Sequence, residues 1–316
     1  MSSPLDGARE LVAGELAVAK ELFERSLASR VASLDLLGRH LVESGGKGLR
    51  AVLCVLAGKA VGVAPEEAQT VAAAAELTHA ASLCHDDVLD RADVRRGRPS
   101  VRARFGDAAA ILLGDLCVAG AFGVLAAAGL GRTGERLADV VREMAEGEVL
   151  QDERARQGDA TLEDQLEIAE AKTGALLAWC ATVGEIVPLP FRAALNAYGR
   201  AVGRAYQVAD DVLDLEVRAG PDASPGHDLR RGTVTVPVLL ACSTRPDLRK
   251  LVASAGDRAA TASLVEAIRG TGAIDRAREL ARQESERAQI ALQLLPPSRF
   301  RRAMEELARF AAERSD

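Results

Sequence analysis

The chain has 316 residues, 48% of them hydrophobic but only 3% aromatic, with one Trp and two Tyr. Runs rich in Ala and Leu, such as VAAAAELTHAA, favour helices over a sandwich or barrel, where aromatic and β-branched residues are enriched. Forty-six acidic residues against 40 basic ones give a net charge of -6, which argues against a general nucleic-acid binder and leaves any anionic ligand to be held by a local device.

Prolines stand at 4, 65, 99, 188, 190, 221, 225, 237, 246, 296 and 297, so 100–187 contains none, which suits long helices. Apolar periodicity predicts helices over 6–28, 31–42, 49–61, 66–91, 107–129, 133–156, 161–184, 191–217, 234–243, 259–269, 272–294 and 298–314. No strand-like alternation of useful length occurs, and the Gly/Pro-rich piece 218–232 is expected to be a long loop. Gly129-x-Gly131-x-x-Gly134 satisfies the dinucleotide-binding pattern, but it follows an Ala-rich helical segment and is expected to be a loop between helices. With no low-complexity linker, 1–316 is expected to form a single all-α domain.

The N-terminal stretch MSSPLDGARELVAGELAVAKELF carries charges where a secretory signal needs an unbroken apolar run. The most apolar stretch, 116–131, follows Asp115, is interrupted by four glycines and falls short of a spanning helix, so the chain is not expected to span a membrane. Cys54, Cys84, Cys117, Cys180 and Cys242 lie far apart without a C-x-x-C pair and read as buried thiols of a protein in a reducing cytoplasm.

The chemistry begins with a duplication. Asp86-Asp87-Val88-Leu89-Asp90 recurs letter for letter as Asp210-Asp211-Val212-Leu213-Asp214, whereas chance supplies a D-D-x-x-D pattern about 0.09 times per chain of this composition. At about 100° per residue, positions i, i+1 and i+4 put three carboxylates on one helix face. One such face is as readily a solvated surface as a site, since like-charge pairs cost only about 0.2 to 0.5 kcal/mol each. Two copies, each behind an apolar helical stretch, suit two walls of one cavity. Carboxylate oxygens without thiolates suit a hard ion such as Mg²⁺, whose coordination is usually completed by substrate phosphates.

Cations gather nearby in sequence. Arg95-Arg96-Gly97-Arg98-Pro99 follows the first cluster, and Gly45-Gly46-Lys47-Gly48-Leu49-Arg50 is a Gly-rich turn whose amides and cations can converge on phosphate. It is not a P-loop, because Gly48 occupies the Ser/Thr position. Taken alone, either basic cluster is more often a solvated surface. His79 lies two turns before Asp86 on nearly the same face, which points to a phosphate contact, while His85 abuts the cluster and is expected to hydrogen-bond a carboxylate. Gln207 shares the face of Asp210, and Lys172, mid-helix, reads by itself as solvent-facing.

Together these residues resemble the trans-polyprenyl diphosphate synthase family. The likeness runs through GGKGLR, HAASLCHDDVLDRADVRRGRPS, LLGD, MAEGEVLQ, AKTGALL, YGRAVGRAYQVADDVLD and GHDLRRGTVTVPVLLA, and so covers nearly the whole chain. The resemblance implies an isoprenoid synthase-type helical bundle around a central cavity. It also implies condensation of an allylic diphosphate with isopentenyl diphosphate, Mg²⁺ as cofactor and a homodimer. Carried over residue by residue, it implies that Asp86, Asp87, Asp90, Asp210, Asp211 and Asp214 face the magnesium ions, the last through a secondary or water-mediated contact. Arg95, Lys172 and Gln207 would support the allylic diphosphate, and Thr173 and Gln207 would turn oxygen dipoles toward the allylic cation. The catalytic set is thus Asp86, Asp87, Asp90, Lys172, Thr173, Gln207, Asp210 and Asp211. Lys47, Arg50, His79 and Arg96 match the positions that hold isopentenyl diphosphate.

Two lysines of the family pattern are missing, at the positions of Ala223 and Thr233, so the allylic phosphate is expected either to be held more weakly or to lean on Arg230 or Arg231 instead. In this family, side chains upstream of the first cluster set product length. Thr78, Ala81 and Ser82 stand there, none of them bulky, and the two-residue insertion of many bacterial farnesyl and geranylgeranyl synthases is absent, so a longer product is expected, hexaprenyl to nonaprenyl. The alternatives left open are a farnesyl or geranylgeranyl synthase and, given Ala223 and Thr233, a noncatalytic subunit of a heteromeric synthase. A terpene cyclase would not need a second diphosphate pocket such as Lys47, Arg50 and Arg96 suggest.

Overall fold

The computed structural model describes residues 3–95, 97–216, 225–253 and 258–314. They gather into two compact units, each assembled from three separated stretches of chain: 1–139 with 179–192 and 295–304, and 140–178 with 193–294 and 305–316.

The chain begins with α1 (Pro4–Leu11), α2 (Ala13–Ser26), α3 (Ala32–Ser44), α4 (Leu49–Val61) and α5 (Pro65–Leu89). A hairpin of two-residue strands, β1 (Val94–Arg95) and β2 (Arg98–Pro99), precedes α6 (Val101–Phe105) and α7 (Asp107–Ala127). Next come α8 (Gly131–Gln157), α9 (Leu162–Ala169), a π-helical turn at Glu170–Gly174, α10 (Ala175–Ala181) and α11 (Leu189–Asp214). The chain closes with α12 (His227–Arg230), α13 (Val236–Thr244), α14 (Leu248–Ala253), α15 (Arg258–Arg269), α16 (Ala273–Ala291), a 3₁₀ turn at Leu292–Leu294 and α17 (Arg299–Glu313).

Local signals account for the helix starts. Ser3 and Asp6 form a reciprocal capping box ahead of α1, as Thr161 and Asp164 do ahead of α9, and prolines occupy the first turns of α1, α5 and α13. The expected helix 6–28 is divided at Val12, whose φ of -127° closes α1 and opens α2. The expected helix 161–184 is divided by the π turn. Short α6 and α14 were not legible as apolar periodicity, and α12 occupies part of the expected 218–232 loop. The expected loop at 129–134 is corrected too: α8 starts at Gly131 and takes in Gly134.

In the first unit α4 and α5 are buried on nearly all sides, through Val52 to Ala57 and Val71 to Ala75. Against α5 lies α7, which buries Ala110, Leu113, Cys117, Ala121 and Leu125 at helical spacing. Although 116–131 alone is too short for a span, α7 begins earlier, at Asp107. It is long and apolar enough to cross a membrane by length and composition, with 33% of its most apolar window buried. The second unit has a core of Leu215, Leu229, Val238, Leu248, Val265 and Ile268, with Ala205, Val208, Val212, Val236, Ala277 and Ala281 in a second cluster.

Candidate active site

The first carboxylate cluster closes α5: Asp86 and Asp87 lie in its last turn and Asp90 caps it. This is the negative end of the helix dipole, where acids are disfavoured, so the cluster calls for cations on two counts. Asp87 is buried, and its Oδ1 accepts from Arg95 Nε at 2.8 Å and from a terminal guanidinium nitrogen at 2.6 Å. Burial pushes the Asp87 carboxyl above the usual range, with Arg95 acting against that rise. Arg95, expected at the diphosphate, is thus seated on Asp87. Asp86 and Asp90 are half-buried. His85 sits 3.6 Å from Asp115 and 3.3 Å from the Ile111 carbonyl oxygen.

Arg95 rides on the hairpin, whose tip Gly97 has φ +72°, while Arg96 lies outside the described residues. A relay from α3 and α6 fixes the hairpin: Arg104 lies 3.0 Å from His40 Nδ1, and His40 Nε2 lies 3.3 Å from the Pro99 carbonyl oxygen. A guanidinium can only donate, so Nδ1 accepts and the Nε2 proton points at Pro99. Arg98 also donates to the Glu43 carbonyl at 2.9 Å.

The Gly-rich turn leads into α4, and a cavity of about 360 Å³ opens beside it. Gly45, Gly46, Gly48, Glu76 and His79 line it on the side of the turn, Arg9, Lys20 and Glu24 add further charged groups, and Leu41, Val42, Phe23 and Leu83 are among its apolar lining. Neither Lys47 nor Arg50 lines the cavity itself. The buried Nε of Arg50 has no hydrogen-bond acceptor among the described residues. Upstream on α5, Thr78 and Ala81 are buried and Ser82 is half-buried. The hydroxyls of Thr78 and Ser82 donate to the carbonyls of Ala74 and His79, at 2.8 and 2.9 Å.

The second cluster closes α11. Asp210 pairs with Arg314 at 2.9 Å, and that guanidinium stacks 4.1 Å above the Tyr206 ring. Asp211 is buried. One oxygen accepts from Gln207 Nε2 at 3.0 Å and the other from the Val236 amide at 3.2 Å. Those two bonds hold the carboxylate down, yet burial outweighs them, and with Asp228 and Asp210 nearby the carboxyl is pushed up to about 8. Asp214 accepts from the amides of His227 and Asp228 at 3.0 and 3.1 Å. Burial first, then Asp228, raises it to about 6. Those two hydrogen bonds tie the end of α11 to the start of α12.

Lys172 and Thr173 sit in the π turn, a geometry often found at functional sites. Gly203 makes the turn possible: a Cβ there would lie 2.3 Å from the Gly174 Cα. Lys172 is not solvent-facing but half-buried, with Nζ 2.5 Å from Glu148 and 2.9 Å from Gln151 Oε1. Thr173 donates to Gln207 Oε1 at 3.1 Å, and Gln207 donates on to Asp211, so Gln207 pairs with Asp211 rather than Asp210. Both ends of the Gln207 amide are therefore engaged inside the protein. Arg200 and Arg204 bind Glu170 at the start of the same turn.

Sequence reasoning missed Glu76, Asp228, Glu148, Gln151 and Arg314. EGEVLQ carried a signal for Glu148 and Gln151, which lie three apart on one helix face. Of the missing-lysine positions, Ala223 lies outside the described residues, and Thr233 donates its amide to the Asp228 carbonyl. Arg230, expected as a replacement, donates to the Pro225 carbonyl at 3.0 Å.

Among the described residues no three His, Cys, Asp or Glu side chains gather closely enough to hold a metal ion by themselves. The donors nonetheless fit magnesium. They are hard carboxylate oxygens, too few for a dedicated cage, as expected of an ion that keeps waters and substrate oxygens. Asp211, buried among acids, is stabilised when a cation arrives.

The profile of the family described as polyprenyl synthetase matches residues 31–270. The octaprenyl diphosphate synthase of Escherichia coli is 33% identical over 319 residues, covering 98% of this chain and 99% of that one. A geranyl-diphosphate-specific all-trans-nonaprenyl-diphosphate synthase of Rhodobacter capsulatus is 33% identical, covering 96% of each. Among solved structures, a polyprenyl synthase from Caulobacter crescentus, complexed with calcium and isoprenyl diphosphate, superposes with a TM-score of 0.93 at 33% identity, covering 100% of this chain and 99% of that one.

Proposed function

Because the chain belongs to the polyprenyl synthetase family, we propose that it elongates an allylic diphosphate with isopentenyl diphosphate to a medium- or long-chain trans-polyprenyl diphosphate, releasing diphosphate. The observation that carries this reading is the duplicated carboxylate triplet, each copy closing a long helix and each holding a buried Asp, Asp87 and Asp211. On this reading residues 1–316 act as one domain, since each compact unit is built from non-contiguous stretches of chain.

Asp86, Asp87, Asp90, Asp210 and Asp211 would hold divalent ions, which we take to be Mg²⁺, with Asp214 as a secondary or water-mediated contact. Magnesium, when bound, supplies positive charge to the departing diphosphate. Arg95 orients Asp87 and Gln207 orients Asp211, which fixes the carboxylates before substrate arrives. Cleaving the allylic C–O bond places negative charge on the leaving group and positive charge on carbon. Lys172, held by Glu148 and Gln151, adds a cation to the former, and the Thr173 oxygen turns a dipole toward the latter. Lys47, Arg50, His79 and Arg96 hold the diphosphate of isopentenyl diphosphate, and Leu41, Val42 and Leu83 exclude water from its hydrocarbon. The allylic carbon then bonds to the isopentenyl double bond, and a proton leaves to the departing diphosphate.

We read the protein as a cytoplasmic homodimer. The exposed Ile111 and Leu112 on α7 support a subunit contact, and its side against α5 supports a soluble role for this helix. Light scattering on detergent-free protein giving only monomer would remove this part. For the activity, the purified chain is incubated with Mg²⁺, farnesyl diphosphate and isopentenyl diphosphate, and products are weighed by mass spectrometry. Hexaprenyl to nonaprenyl diphosphate is expected. No elongation by the lone chain would favour the noncatalytic-subunit reading, and products ending at geranylgeranyl diphosphate would refute the reading that the small Thr78, Ala81 and Ser82 leave room for a longer chain.

A further inference from the structure

The start of α4 is unusual in how its first turn is satisfied. Helix N-termini leave several amides without intrahelical partners, and a Ser, Thr, Asp or Asn at the cap usually accepts from one of them. The cap of α4 is Gly48 at φ +64°, which brings no side-chain acceptor. The acceptor comes instead from α5: the Ala51 amide donates to Glu76 Oε1 at 3.0 Å. The Val52 amide returns to the Gly48 carbonyl at 3.0 Å and closes the turn. Glu76 and His79, three residues apart, share a face of α5, and both line the 360 Å³ cavity together with Gly45, Gly46 and Gly48.

We propose that Glu76 is a positioning residue for the Gly-rich turn, holding the first turn of α4 so that Lys47, Arg50 and the turn's amides are aimed at the diphosphate of isopentenyl diphosphate. The proposal rests on reading that cavity as the isopentenyl diphosphate pocket. Glycines at 45, 46 and 48 give the turn wide backbone freedom, and Glu76 removes part of it from a neighbouring helix. Its negative charge also lies at the positive end of α4, which weakens the bare attraction for an anion. The arrangement trades attraction for aim.

The two contributions separate by substitution. Glu76→Gln keeps an oxygen to accept from Ala51 and discards the charge, whereas Glu76→Ala discards both. Steady-state kinetics should show KM for isopentenyl diphosphate raised about 3- to 30-fold in Glu76→Ala, within the roughly 2- to 30-fold that a lost helix cap corresponds to. The same KM should be at or below the wild-type value in Glu76→Gln. In both variants kcat and KM for the allylic diphosphate should stay within about twofold. Calorimetric titration with isopentenyl diphosphate alone should reproduce the pattern in Kd. A residue that merely supports the fold would instead move both KM values and kcat together. Equal KM for isopentenyl diphosphate in all three proteins, or equal losses in Glu76→Gln and Glu76→Ala, overturns the proposal. If Glu76→Ala does not fold, Glu76→Gln and Glu76→Asp carry the test, with Asp, too short to reach Ala51, expected to behave as Ala does. Lys47→Ala and Arg50→Ala distinguish the levels: if neither changes KM for isopentenyl diphosphate, the pocket assignment falls and Glu76 with it, whereas if both raise it and Glu76→Ala does not, only the role of Glu76 falls.

Discussion

Asp211 offers a sharp test of the electrostatic account. Its carboxyl lies near 8 in the metal-free fold and near 3.8 in the unfolded chain, so between those values the folded protein binds a proton that the unfolded protein has released. The sign follows: stability is greatest below about pH 4 on this account and is lost as pH rises toward 8, by about 1.4 kcal/mol per pH unit. Asp211→Asn keeps the oxygen that accepts from Val236 or Gln207 and mimics the neutral acid, so it escapes the loss. Differential scanning calorimetry of both proteins without metal at pH 6, 7 and 8 measures the difference directly. Raising the pH from 6 to 7 should lower the wild-type midpoint by about 2 to 4 °C relative to Asp211→Asn, taking the usual relation between free energy and Tm for a large domain. Magnesium with inorganic diphosphate should close much of the gap by favouring the ionised form in the wild type. Parallel midpoints in the two proteins from pH 6 to 8 would show that the buried carboxylate is already ionised and would refute the reasoning.

Arg314→Met keeps an aliphatic layer over Tyr206 but removes the Arg314 guanidinium from Asp210. With that guanidinium gone, the Mg²⁺ concentration for half-maximal activity should fall about 2- to 5-fold, taking up to about 1 kcal/mol for an ion pair open to solvent on its Asp210 side; a rise would mean that Arg314 supports bound substrate. Ala81→Phe, which puts a bulky ring upstream of the first cluster, should shift products toward farnesyl and geranylgeranyl diphosphate by mass spectrometry, and an unchanged product length would remove Ala81 from the residues that set it. Gly203→Ala places a methyl group 2.3 Å from the Gly174 Cα, so it should lower stability by at least about 2 kcal/mol and cut kcat through displacement of Lys172 and Thr173. Wild-type Tm and kcat together would contradict the account of the π turn.

The carboxylate triplets were legible because their geometry is local: once a segment is helical, i, i+1 and i+4 share a face whatever lies around it. The starts of α5 and α9 were legible to within a residue or so for the same reason, since a proline in the first turn or a capping box reaches only three residues along the chain. The π turn was not legible, because it depends on Gly174 meeting Gly203, two residues far apart in sequence whose missing side chains let one backbone lie against the other. Nor did the sequence show that Arg95 would be spent on Asp87, or that Gln207 would turn to Asp211.

By itself, then, the sequence determined a helical protein with two acidic helix ends, a phosphate-type turn and the family that combines them, since all of these are carried by composition and short-range spacing. Only the tertiary structure decided the charge states and the aim of the groups. Asp211 is pushed up by burial and by Asp228, Asp210 is met by Arg314 from the other end of the chain, and the first turn of α4 is satisfied by Glu76 from another helix. Dehydration and long-range hydrogen bonds exist only once distant segments have closed around a side chain, and no spacing along the chain encodes them.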